Sequence, residues 1–273
     1  MRRIVGDGVN VIVKTAEPNI ILVSGLPFQN YLDTVSLDNE LGNSSVITDW
    51  FNLPDSAFRV RLLDNSKFEF DLLFLVYGVF AGGHTGGSYC NEIDYVLINT
   101  LGDAIDFGDL SGNRRGMGGT SNGTNDRGVF GGGNEYYDII EYITITIPDN
   151  AIDFGDLTSN RNNLGGTSNG TNERGVFGGG NTSSATNVID YITINTLGNA
   201  IDFGDLTVAR YGAGATSNSI NGRGVFGGGT TGTYTNVIDY ITINTLGNAA
   251  DFGDLTVTRY GAAATSNGTN ERG

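Results

Sequence analysis

The sequence predicts an all-β repeat protein with about four four-stranded antiparallel sheets behind a small β-rich N-terminal segment. Three observations carry this. Arg-Gly-Val-Phe-Gly-Gly-Gly occurs identically at Arg127–Gly133, Arg174–Gly180 and Arg223–Gly229, with a variant, Tyr-Gly-Val-Phe-Ala-Gly-Gly, at Tyr77–Gly83. Its phenylalanines, Phe80, Phe130, Phe177 and Phe226, are spaced by 50, 47 and 49 residues. Each copy is followed by an acidic residue and a tyrosine (Asp94-Tyr95, Glu141-Tyr142, Asp190-Tyr191, Asp239-Tyr240) and then by Asp-Phe-Gly-Asp-Leu from Asp106, Asp153, Asp202 and Asp251. A fixed period of this length is the signature of a repeat architecture, and no unit shows a helical period.

Residues 1–76 read as a separate β-rich unit. Val9–Val13 and Asn19–Val23 are strand-like, and Leu26-Pro27 and Leu53-Pro54 mark loops. Phe58–Leu63 and Phe68–Val76 flank a hairpin-like turn, Asp64-Asn65-Ser66-Lys67. Phe58, Val60 and Leu62 alternate with Arg59 and Arg61, which suggests one wet face. Trp50-Phe51 is an anchor for this unit's core or for a partner.

The third repeat serves as the type for the rest. Tyr211–Thr216 is a small-residue strand, followed by an Asn/Ser/Gly turn, Ser217–Gly222. Arg223–Phe226 is a second strand ending in three glycines. Val237–Asn244 is a third, rich in strand formers. Thr245–Asn248 turns the chain, and Ala249–Leu255 is a fourth strand carrying Phe252. The third strand is apolar on both faces: in the preceding copy Val188, Ile192 and Ile194 alternate with Ile189 and Tyr191. That fits a sheet sandwiched between two others. Stacked or radially packed four-stranded sheets give a propeller-type array.

The order of small-residue strand, apolar strand ending in Gly-Gly, strand with Tyr and strand with an aromatic resembles the Kelch repeat, over residues 77–273. Phe203 and Phe252 stand where that family usually has Trp. The resemblance implies a Kelch-type β-propeller. The wording Arg-Gly-Val-Phe-Gly-Gly-Gly and Asp-Phe-Gly-Asp-Leu further resembles Kelch-like repeat proteins encoded by bacteriophages, notably those infecting cyanobacteria.

The first unit, Tyr77–Leu110, has no clear first strand, whereas the last repeat is followed by a lone one, Tyr260–Thr265, and its turn. Kelch propellers often close by pairing such a C-terminal strand with the N-terminal remainder, which here would complete four blades. Pairing between subunits, or a chain cut short at Arg272-Gly273, are the alternatives.

The formal charge is −15, and the two lysines, Lys14 and Lys67, both precede the repeats. Such a surface repels phosphate backbones, so nucleic acid is not an expected partner. No apolar run reaches the ~18 residues of a membrane span, and residues 4–10 are too short and polar for a signal-peptide core.

The glycine triplets are followed by no Gly-Lys-Ser/Thr and read as points of close backbone approach. The carboxylate pairs Asp106/Asp109, Asp153/Asp156, Asp202/Asp205 and Asp251/Asp254 are not a cation cage; turn hydrogen bonds or solvation explain them. Some Kelch propellers resemble galactose oxidase, which needs two histidines and a tyrosine cross-linked to cysteine. This chain has one histidine, His84, and one cysteine, Cys90. No metal, cofactor or catalytic set is therefore expected. Thr-Ser-Asn-Gly-Thr-Asn, at Thr120, Thr167 and Thr265, is turn chemistry. The loops between second and third strands differ most among repeats and carry Tyr89, Tyr136, Tyr137 and Tyr234, the candidate ligand-binding residues.

The expectation is a non-enzymatic virion structural protein, made in the host cytoplasm. Residues 1–76 would dock it to other virion proteins as a tail-fibre or decoration component. The propeller, as a homo-oligomer, would face a host-surface glycan or receptor. The alternative is a soluble Kelch scaffold binding a protein partner through its loop face.

Overall fold

A computed structural model describes backbone strands within residues 2–72 (2–6, 9–17, 20–24, 51–52, 58–64 and 67–72) and, in full, residues 77–98, 101–122, 127–134, 137–169, 174–218 and 222–266. The chain divides into two compact units, Met1–Val76 and Tyr77–Gly273. The described residues form strands and turns, with no helix.

The first unit holds two three-stranded antiparallel sheets. One is β1 (Arg2–Gly6), β2 (Val9–Glu17) and β3 (Ile20–Ser24); the other is β4 (Phe51–Asn52), β5 (Phe58–Asp64) and β6 (Lys67–Leu72). The expected hairpin is present, with Phe58 opposite Leu72 and Asp64 opposite Lys67. Of the strand expected over Phe68–Val76, residues 73–76 lie outside the described residues. Trp50 lies outside the described residues.

The second unit is a succession of four antiparallel sheets, each a meander in chain order. The first has three strands: β7 (Tyr77–His84), β8 (Tyr89–Leu97) and β9 (Ile105–Asp109). The second is β10 (Gly118–Asn122), β11 (Arg127–Gly131), β12 (Ile139–Thr144) and β13 (Ile152–Asp156). The third is β14 (Gly165–Ser168), β15 (Arg174–Gly178), β16 (Val188–Thr193) and β17 (Ile201–Asp205). The fourth is β18 (Gly214–Asn218), β19 (Arg223–Gly227), β20 (Val237–Thr242) and β21 (Ala250–Asp254). This is the all-β, propeller-type repeat architecture of four blades at a period of about 49 residues that the sequence predicts.

The register is the same in every blade, because the same side chains recur at the same steps. Phe226 lies opposite Asp239 as Phe177 lies opposite Asp190. A bulge interrupts each third-to-fourth pairing at the acidic residue, between Ile140/Glu141, Ile189/Asp190 and Ile238/Asp239. The first strand begins later than the sequence suggests, at Gly214 rather than Tyr211. Tyr211 is taken up by an isolated bridge to Thr230, and Gly212 has φ 65°, which turns the chain before the strand starts.

The core lies between sheets. Ile192 and Ile194 pack with Val129, Ile140 and Phe154 of the second blade. Ile189, on the other face of β16, packs with Phe226, Ile241 and Ile243 of the fourth. A strand buried on both sides has no place for the hydrophobic/polar alternation of a half-wet strand, which is why its sequence is apolar throughout.

Glycine sets the spacing of the blades. The Phe177 ring lies where a Cβ on Gly131 or on Gly118 would be, 3.1 Å away in both cases, and Phe226 does the same to Gly178 at 2.7 Å. The last glycine of each triplet donates its N–H to the carbonyl of the arginine that follows the last strand of its own blade: Gly83 to Arg114 (2.8 Å), Gly133 to Arg161 (3.0 Å), Gly180 to Arg210 (2.9 Å) and Gly229 to Arg259 (2.8 Å). Close backbone approach is thus the work of the triplets. The glycine of Asp-Phe-Gly-Asp has the same role, since a Cβ on Gly155 would lie 2.6 Å from the Gly198 carbonyl of the next blade.

The lone strand expected at Tyr260–Thr265 does not complete the first sheet. That sheet has three strands, and residues 260–266 form none. Instead the segment continues the inner series of first strands: Ser266 donates to the Ser217 carbonyl, as Ser217 does to Ser168 and Ser168 to Ser121.

Candidate functional site

Two groups of side chains stand out. One is the set of loop tyrosines, and the other is a buried ionic device repeated between blades.

Tyr89 sits at the start of β8, half-buried, with the Arg115 guanidinium 4.9 Å from its ring centre and His84 at 5.6 Å. Tyr136 lies outside the described residues. Tyr137 is 41 % exposed, and its backbone is held by the Gly133 carbonyl and by the Arg161 N–H. Tyr234 is the most open, at 60 %. Its ring stacks on Tyr260, 6.1 Å between centres and 14° between planes, and Tyr211 meets Tyr260 edge-on at 5.8 Å. Tyr89, Tyr137 and Tyr234 therefore lie on three different blades. Ring contact joins Tyr234 to Tyr211 and Tyr260, two residues that a reading of the loops alone passes over. Their signal was the repeat itself: Tyr211 and Tyr260 occupy one repeat position, after the arginines at 210 and 259.

His84 accepts a hydrogen bond at Nδ1 from the Gly86 N–H (3.2 Å), and Cys90 lies opposite Gly83 in the β7–β8 ladder. Burial and the Glu92 carboxylate push the Cys90 thiol up from its ordinary value. Among the described residues no three His, Cys, Asp or Glu side chains form a metal-binding group. The first aspartate of each Asp-Phe-Gly-Asp is exposed, and two of them, Asp106 and Asp251, accept from the N–H two residues on, Gly108 and Gly253, each at 3.1 Å.

The ionic device is built from the acidic residue before each Tyr. Asp190 reaches back to the linker leading into its own blade. It accepts from Thr158 N (3.0 Å), Thr158 Oγ1 (2.7 Å) and Arg161 Nη2 (2.8 Å). Asp239 repeats this with Thr207 and with Arg210, whose Nη1 lies 2.9 Å away. Glu141 accepts from the Ser111 N–H and pairs with Arg114. All three acids and all three arginines are buried. Burial pushes the Arg161 and Arg210 guanidinium groups down, against the pull of Asp190 and Asp239. A second contact recurs in the same three blades: the guanidinium groups of Arg127, Arg174 and Arg223 sit 4.3, 4.5 and 4.6 Å over the rings of Tyr142, Tyr191 and Tyr240.

The outer face of the fourth blade carries an open concavity of about 440 Å³, lined by Val225, Gly227, Ile238, Phe252, Leu255 and Ala264 among others. No protein-family model matches the chain, and no curated protein matches it.

Proposed function

We propose that this chain is a non-catalytic display scaffold of the Kelch-like kind, a virion structural component whose repeat array presents loop tyrosines to a host-surface glycan or receptor. In this reading residues 1–76 attach it to other virion proteins. The observation that carries the binding role is the Tyr234–Tyr260–Tyr211 group: Tyr260 stacks on Tyr234 and meets Tyr211 edge-on, and Tyr234 and Tyr260 are well exposed. Exposed aromatic faces supply large contact area at low conformational-entropy cost and suit the apolar face of a sugar ring. The recurrent charged groups support the non-catalytic part, because Glu141, Asp190 and Asp239 are taken up in bonds between blades.

A glycan array probed with the full chain and with Tyr234→Ala tests the binding role. Binding that falls at least tenfold in Y234A is the expected result; equal binding by both proteins overturns it. Mass spectrometry of purified particles tests the virion assignment. An intracellular protein recovered by pulldown through the loop face, with no copies on particles, would instead support a soluble scaffold.

A further inference from the structure

The junctions between the second and third and between the third and fourth blades are made by the same complementary parts; at the first junction Ala81 and Ser111 stand where the others have glycine and threonine. From the later blade come a phenylalanine on the second strand and an acid on the third, as in Phe226 and Asp239. From the earlier blade come a glycine pair that cradles the ring, Gly178 and Gly165, and a Thr-x-x-Arg linker that grips the acid, Thr207 and Arg210. The linker then runs on into the innermost strand of the later blade, β18, with Ala215 opposite Phe226 and Thr216 opposite Val225.

At the two outer faces these parts stand apart. Among the described residues the first blade has the ring and the acid without a cradle, a grip or an innermost strand. Phe80 is 62 % exposed, whereas Phe177 and Phe226 are fully buried, and Asp94 is exposed. The fourth blade has the reverse. A Cβ on Gly227 would meet nothing closer than 3.8 Å, Arg259 is exposed with its Nε on the Val257 carbonyl, and residues 260–266 form no strand. Phe252, whose counterparts Phe107, Phe154 and Phe203 are buried, is 52 % exposed. Arg127 and Arg174 each donate to a carbonyl of the following blade, Ile194 and Ile243. In the first blade the repeat position of Ile194 and Ile243 is held by Ile98.

We propose that the fourth blade of one copy receives the first blade of a second copy, head to tail. Phe80 seats on Gly227 and Gly214, and Thr256 and Arg259 grip Asp94. Residues 263–266 become the innermost strand of the second copy's first sheet. The internal registers assign the pairing: Ala263 opposite Ala81, Ala264 opposite Phe80 and Thr265 opposite Val79. The occupant is a second copy because its first blade carries all the parts the fourth blade lacks, in the same register. Such a junction is heterologous, so it closes into a ring of copies or propagates. It does not rest on the ligand reading above.

The test is disulfide trapping in the full chain with Cys90→Ala. Val79→Cys and Thr265→Cys, made in separate proteins and mixed under mild oxidation, should give a linked dimer of the two, with little linkage in either protein alone. The double variant V79C/T265C should give a ladder of linked copies. A double variant that links within one chain and stays monomeric would overturn the proposal in favour of closure by the chain's own ends. So would a failure to link at all with the parent protein monomeric at every concentration by sedimentation. Asp94→Arg or Arg259→Asp should each weaken association by roughly a hundredfold or more, as loss of one partner of a buried pair does. Both should leave the unfolding midpoint of the single copy unchanged, and the two together should restore association. Undiminished association in either single variant also overturns the proposal.

Discussion

Asp190 and Arg161, 29 residues apart in sequence, meet at 2.8 Å with both side chains wholly removed from water. The pair joins the third strand of a blade to the linker that enters it, so it locks one repeat to the next. A buried ion pair contributes little by existing, because desolvation offsets most of the attraction; it costs a great deal when broken.

Asp190→Asn should therefore destabilise the repeat array by about 3–5 kcal/mol, since Arg161 keeps its charge in a dry site. Replacing both partners, R161M with D190L, should recover much of that loss. It should not recover all of it, because the Thr158 N–H and hydroxyl then lose their acceptor at about 1–3 kcal/mol for an unsatisfied buried group. Asp94→Asn, at the same repeat position but exposed, should change stability by less than about 0.5 kcal/mol in a single copy. Urea midpoints of the three variants check the order.

The repeated phenylalanines should separate in the same way. Phe226→Ala leaves a void between the third and fourth blades and should cost about 3–5 kcal/mol. Phe80→Ala removes a ring that is already mostly in water and should cost less than about 1 kcal/mol. Equal losses at the two sites, measured by chemical unfolding, would show that the sheets are not packed as described.

Glycine substitutions test spacing directly. A methyl group on Gly178 would stand 2.7 Å from the Phe226 ring, so Gly178→Ala should force the blades apart and cost about 1–3 kcal/mol, the usual range for overpacking. A methyl group on Gly227 would meet nothing closer than 3.8 Å in one copy, so Gly227→Ala should be neutral or slightly stabilising there. Thermal melts of dilute protein distinguish them. In the head-to-tail assembly, G227A should block association, since the methyl occupies the seat of Phe80.

Cys90 gives a pH-dependent readout. Its thiol is pushed up by burial and by Glu92, so the thiolate fraction at a given pH is below that of an open peptide thiol. Alkylation by iodoacetamide at pH 8 should accordingly be slower than for a small-peptide cysteine, and Glu92→Gln should speed it. The folded value lies above the unfolded one, so the thiol favours folding below the unfolded value, and that contribution is lost as pH rises through the folded value.

Much of this molecule was legible in the chain. The period of Phe80, Phe130, Phe177 and Phe226, and strands such as Val188–Thr193 that are apolar on both faces, specify stacked sheets. Alternation and turn chemistry act over a few residues, so they survive in a one-dimensional reading. The glycine triplets could be read as sites of close approach for the same reason: a residue without Cβ is used where backbone must come near backbone.

Which partners those positions choose was decided only in three dimensions. The acid before each Tyr is plainly recurrent, yet Asp190 closes on Arg161 across a blade junction, and no local spacing encodes that contact. Tyr234 is an exposed loop residue by sequence, but its place in an aromatic group depends on Tyr260, which folding brings beside it from the next repeat. The same limit applies to the ends. The sequence contains a lone first strand and a blade without one, and it leaves their pairing open. Packing shows two unlike faces, with Phe80 and Asp94 on one and Gly227 and Arg259 on the other, because complementarity belongs to surfaces that exist only once the sheets have stacked.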